Sequence, residues 1–94
     1  MLNNKQKKEL KGYAVKLKPN VMIGKNTLTD NIIDSINKDL KANELTKISV
    51  LQNCEASVSE LAIEICRLCK CDLVYTIGKM IIVYKESDKH IYKI

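Results

Sequence analysis

The 94-residue chain has no Trp and no Phe, one His, one Pro and three Gly, and 15 of its 16 basic side chains are Lys. Each scarcity removes a class of function. With Trp and Phe absent and Tyr13, Tyr75, Tyr84 and Tyr92 scattered, no aromatic platform for stacking bases is expected. Three glycines cannot make a Walker loop or a dinucleotide-binding loop. His90 lies near the end of the chain, and no nucleophile–base pair or paired carboxylates recur around it; Asp30, Asp34 and Glu44 suit helix caps and helix surface. The chain is therefore not expected to be an enzyme. The longest apolar run, Met80-Ile81-Ile82-Val83-Tyr84, is far shorter than a bilayer span. The basic N-terminus leads into no apolar signal segment, so a cytoplasmic protein without a membrane role is expected.

Cys54, Cys66, Cys69 and Cys71 raise the question of a metal. A tetrahedral zinc site needs four ligands, commonly as two paired knuckles. Here the cluster Cys66-x-x-Cys69-x-Cys71 would have to recruit the isolated Cys54 or His90. Thiols acting as small apolar side chains account for the same residues, so reduced structural cysteines and no metal or cofactor are expected.

Positive charge is what the chain has in excess, at one end. Residues 1–30 hold seven lysines against Glu9 and Asp30, whereas residues 31–94 hold nine basic and nine acidic side chains, so the net charge of +5 resides in the N-terminal third. Such asymmetry points to a polyanionic partner. The same third contains Lys18-Pro19-Asn20-Val21-Met22-Ile23-Gly24-Lys25-Asn26-Thr27-Leu28-Thr29-Asp30, a short apolar strand that stops at a glycine, turns through a polar loop and opens a helix capped by Thr27 or Thr29. Helix N-termini carry free N–H groups and positive partial charge and favour phosphate.

Periodicity fills in the rest. Leu10, Ala14 and Leu17 mark a helix from about Asn3 to Leu17, with Lys5, Lys8 and Lys16 turned away from its apolar stripe and Lys11 beside it. Leu28, Ile32, Ile36 and Leu40 mark a second helix to Asn43, and Val58, Leu61, Ala62 and Ile65 a third from about Ala56 to Lys70. Leu45–Leu51, Asp72–Ile77 and Met80–Lys85 read as strands, the last two joined by the hairpin signal Gly78-Lys79. Strands separated by helices lie parallel, and the hairpin adds an antiparallel one. The expectation is one domain with one modest core over residues 1–94: a two-layer α/β open sandwich, α-β-α-β-α-β-β, around a four-stranded mixed sheet. The tail from Glu86 to Ile94 is expected to be loosely held.

Several segments together resemble one family. Lys5-Gln6-Lys7, Leu17-Lys18-Pro19, Ile23-Gly24-Lys25-Asn26, Leu28-Thr29-Asp30, Glu44-Leu45-x-Lys47, and Ile77-Gly78 followed by Val83-Tyr84-Lys85 resemble the CRM domain (chloroplast RNA splicing and ribosome maturation) in its single-domain bacterial YhbY-like form. The resemblance runs nearly end to end. It implies a fold similar to the C-terminal domain of translation initiation factor 3, RNA binding, and association with precursors of the large ribosomal subunit. It also implies a GxxG loop like that with which KH domains clamp an RNA backbone. This chain has Gly24-Lys25-Asn26-Thr27, so Thr27 stands where the second glycine belongs and would be strained if that position needs positive φ. Val15 and Asn43 stand where the family often has histidines, and Lys85 where it often has an arginine. The expected RNA contacts are Gly24, Lys25, Asn26 and Thr27 on one phosphate, with Lys5, Lys8, Lys11, Lys16 and Lys18 on neighbouring ones. The alternative is a module, monomeric like the first, that meets ribosomal or assembly proteins through its sheet face or through Val15 and Leu51.

Overall fold

Each helix begins at a side chain suited to capping it. In the computed structural model, which describes residues 2–92, α1 spans Asn4–Ala14 behind a reciprocal capping box of Asn3 and Gln6. Helix α2 spans Asp30–Asn43, and of the two candidate threonines it is Thr29 that accepts from the Ile32 N–H at 3.2 Å. Helix α3 spans Val58–Cys69 behind Ser57, which accepts from the Glu60 N–H. The helices start later than their apolar periodicity because each N-cap residue is extended, and α1 also ends earlier, at Ala14. After Ala14 the chain passes through turns in which Lys16 and Leu17 donate to the Tyr13 and Ala14 carbonyls.

The strands are β1 (Val21–Ile23), β2 (Leu45–Val50), β3 (Asp72–Ile77) and β4 (Met80–Tyr84), in sheet order β1-β2-β4-β3. The β1–β2 pair is parallel, and β4 runs antiparallel to both β2 and β3. The expected element order and mixed sheet are present, with β4 inserted between β2 and β3.

That insertion explains the apolar run of β4. Ile81 and Val83 pack with α2 and α3 on one face, while Ile82 and Tyr84 pack on the other with Leu10 and Ala14 of α1. A strand flanked on both edges and covered on both faces needs apolar residues at every position. The apolar interior is thus not the single core expected from chain length but two clusters, one on each side of the sheet. The sandwich of sheet with α2 and α3 is as expected, and α1 adds a partial cover on the opposite face. Cys54, Cys69 and Cys71 are free thiols buried in the α2–α3 cluster, with Cys66 packed against it.

Two carboxylates tie the elements together. Asp39 on α2 accepts from Thr46 of β2 at 2.7 Å, from Asn43, and from Asn20 at the entry to β1. Glu44, expected at a helix cap or on a helix surface, is the C-cap of α2 but is fully buried. One of its oxygens accepts from Ser87 N (2.6 Å) and Ser87 Oγ (2.7 Å), the other from Ile91 N (2.7 Å) and Tyr92 N (3.1 Å). The Tyr92 ring then stacks at 5.0 Å from Tyr13 of α1 and edge-on to Tyr84 of β4. The expectation of a loose tail is therefore corrected for residues 86–92; residues 93 and 94 lie outside the described residues.

Three lysines complete the helix C-termini from elsewhere in the fold. Lys47 of β2 donates to the Ala14 and Leu17 carbonyls after α1, Lys85 to Cys69 of α3, and Lys89 to Ala42 of α2. Each places a cation at the negative end of a helix dipole.

Candidate nucleic-acid interface

Strand β1 ends at Ile23, and the chain reverses at once: Thr27 N–H donates to the Gly24 carbonyl at 3.0 Å, leaving Lys25 and Asn26 exposed at the turn's tip. Thr27 takes φ +56°, the left-handed region where a β-branched side chain is strained by roughly 1–2 kcal/mol. The conformation that would favour a second glycine is thus kept although the residue is threonine. Gly24 has no positive φ, and an added Cβ would lie in contact with Asn53 Oδ1 at 3.4 Å.

Two residues after the turn, Thr29 opens α2. Its hydroxyl and carbonyl accept from Ile32 and Ile33, which leaves the Asp30 and Asn31 N–H groups at the first turn without an intrahelical partner. The side of the turn facing α3 is acidic: Thr27 and Leu28 share a cavity of about 240 Å³ with Ala56, Leu61, Glu60 and Glu64. Phosphates are repelled there, so a polyanion meets this turn from the side of Lys25 and Asn26.

The same end of the sheet gathers a second turn. Leu51 N–H donates to Ile23 O at 2.8 Å, and Val50 N–H to Lys79 O at 2.7 Å, so the β1 exit, the β2 exit and the β3–β4 hairpin adjoin. Gly78 supplies the positive φ of that hairpin, +56°, and Lys79 is exposed beside it. Lys79 was not among the expected contacts. Its position follows once β1 and β3 run in one direction, because the turn after β3 must then lie at the end where β1 exits.

The other expected contacts are distributed differently. Lys5 and Lys8 are exposed on α1, on the face of the sheet opposite α2 and α3, and the Lys11 ammonium sits 4.8 Å from the centre of the Tyr75 ring. Lys16 and Lys18 are exposed on the link from α1 to β1, at the entry of β1 rather than its exit. Gly24, Lys25, Asn26 and Thr27 thus form one turn, and the lysines of α1 do not converge on the mouth of α2. Instead Lys5, Lys8 and Lys11 lie on α1, across the sheet from α2 and α3. Among the described residues the ion pairs are Arg67–Glu64 and His90–Glu86, so none of these lysines is neutralised by a carboxylate. A cavity of about 490 Å³ at the other end of the sheet mixes Lys41, Lys70 and Lys85 with Glu86 and Asp88 and is no comparable cationic surface.

The sequence profile of the CRS1 / YhbY (CRM) domain matches residues 2–85. The chain belongs to this family. YqeI of Bacillus subtilis (strain 168), named a probable RNA-binding protein, is 42% identical over 90 residues, which cover 96% of this chain and 94% of that one. A Haemophilus influenzae (strain Rd) protein named an RNA-binding protein is 37% identical, covering 94% of this chain and 89% of its own. The solution structure of the hypothetical protein SAV1595 from Staphylococcus aureus superposes with a TM-score of 0.83 at 38% identity, covering 96% of this chain and 94% of that one. As a CRM domain the chain keeps the turn after β1 and its cationic tip, with Thr27 in the strained position.

Proposed function

We propose that this CRM protein binds structured RNA as a cytoplasmic monomer, and that its target is ribosomal RNA in precursors of the large ribosomal subunit. The observation that carries the reading is the set of exposed N-terminal lysines, on α1, at the entry of β1 and at its exit, with no carboxylate partner among the described residues. Cations left free by the protein are available to phosphate, and each contact releases counterions. Lys25 and Asn26, with the N–H groups at the start of α2, would hold one phosphate; Lys5, Lys8, Lys11, Lys16 and Lys18 would follow the backbone. Relatives bearing RNA-binding names along nearly their whole length support the same reading.

Affinity for a structured ribosomal RNA fragment should fall steeply as salt is added. The Lys18→Ala, Lys25→Ala double variant should flatten that slope by about two units. An unchanged slope would remove both lysines from the interface. Affinity that ignores salt and survives loss of the lysines would favour protein docking through the sheet face or through Val15 and Leu51, both exposed. Sedimentation of tagged protein in lysate, with and without ribonuclease, tests the ribosomal assignment. Co-migration with large-subunit precursors supports it, and protein at the top of the gradient in both cases opposes it.

A further inference from the structure

Helix α1 covers only part of its face of the sheet. The register aligns Met22 of β1 with Ser49 of β2, Ser49 with Met80 of β4, and Met80 with Ile77 of β3. Paired residues share a face, and Met80 packs on the α1 cluster, so all four side chains point to the α1 side. Met22 is 56% exposed and Ile77 58%, with Ser49 and Met80 half-buried between them. The row crosses the whole sheet, about 14 Å at the usual strand spacing. Flexible thioethers and an isoleucine left open in a line are characteristic of surfaces that adapt to a partner.

Cations border the row along both of its long sides. The next row of positions on the same face is Lys47, Ile82 and Tyr75, with the Lys11 ammonium over the Tyr75 ring. Beyond the other side lie the two turns that carry Lys25 and Lys79. No acidic residue occupies either row. An occupant must therefore be apolar along its middle and anionic at its margins. A nucleic acid offers this only where bases are unpaired, because paired bases keep their faces inside the stack.

We propose that the Met22–Ser49–Met80–Ile77 row seats unpaired bases of the bound RNA, with their phosphates on Lys11, Lys25 and Lys79 and the Ser49 hydroxyl facing a base edge. The inference rests on the RNA-binding reading and adds to it a substrate class: single-stranded or looped segments in preference to continuous duplex. A four-stranded sheet face seats two or three bases in other RNA-binding domains through aromatic rings. Here sulfur and methyl groups would replace them, giving affinity with little sequence selectivity.

The test compares fluorescein-labelled 12-nucleotide single-stranded RNA with a 12-base-pair RNA duplex on the full chain. Native protein should prefer the single strand. The Met22→Ser, Ile77→Ser variant, altered only at exposed positions, should lose about tenfold for the single strand while keeping its duplex affinity and its salt slope. Its thermal unfolding should match the native protein, and Met22→Leu with Ile77→Leu should restore binding. Equal affinities of the serine variant and native protein for the single strand would overturn the inference and leave the electrostatic reading standing. Failure of native protein to bind either RNA would remove the RNA-binding reading itself.

Discussion

Thr27, Glu44, Lys70 and His90 hold positive φ values that their side chains do not favour, and the first two do so for different reasons. Glu44 sits at φ +65° at the end of α2, where glycine is usual, and the four hydrogen bonds to its carboxylate hold it there. Burial alone would raise its pKa, but the bonds from Ser87, Tyr92 and Ile91 outweigh burial and hold the carboxyl below its ordinary value of 4.5. A lowered folded-state pKa stabilises the fold fully above the unfolded value, and the contribution disappears as pH falls through the folded one. Glu44→Gln turns an amide N–H₂ toward N–H or O–H donors and should cost about 2–4 kcal/mol at neutral pH. In urea titrations the gap between native and variant should hold above pH 6, narrow as pH falls below the ordinary value of 4.5, and close only below the lowered folded-state value. A gap independent of pH would mean that the carboxylate charge contributes nothing. Thr27 at φ +56° has no such set of bonds. Thr27→Gly should relieve about 1–2 kcal/mol of strain against about 0.5–1 kcal/mol of added chain entropy, so the urea midpoint should rise slightly. A fall would show that the hydroxyl or methyl group makes a stabilising contact. The strain at Thr27 was foreshadowed through the resemblance to a GxxG loop whose second glycine it replaces, on the condition, met here, that the position takes positive φ. The burial of Glu44 was not, because its partners lie more than forty residues away along the chain.

At the scale of elements, α1 is held to the sheet by Leu10 and Ala14 below, by Tyr92 of the tail against Tyr13, and by the Lys47 ammonium at its C-terminal end. Lys47→Met preserves the length of the side chain and removes the charge. It should destabilise the protein by about 1 kcal/mol and speed amide exchange at Val15–Leu17. Exchange unchanged in that segment would mean that the turn after Ala14 holds without Lys47. The helices were readable from a period of 3.6 and β2 from a period of 2, whereas β1, β3 and β4 were read from β-rich runs and the Gly78-Lys79 turn. Strand order was not readable, since β2 pairs with β4 through side chains more than thirty residues apart. The side of the sheet that α1 would cover was hidden for the same reason. Its apolar stripe of Leu10 and Ala14 says that it packs on something, not on which face.

For the whole molecule, the uneven charge of the sequence becomes a geometric division. Acidic Glu60 and Glu64 stand on the α3 side of the β1–α2 turn, and free lysines lie across the α1 side. Composition predicted a polyanion-facing region. It could not separate lysines that close helix ends, such as Lys47, Lys85 and Lys89, from those left to solvent, because that depends on which carbonyls the fold brings within reach. The position of β4 carries one last consequence. The strand that joins β2 to β3 is the final one to leave a translating ribosome, so a nascent chain that stops before Met80 holds two unconnected parts of a sheet. Its basic helix then has no floor of Ile82 and Tyr84 to rest on. The surface that carries the lysines of α1 is therefore complete only once Met80–Tyr84 have joined the sheet.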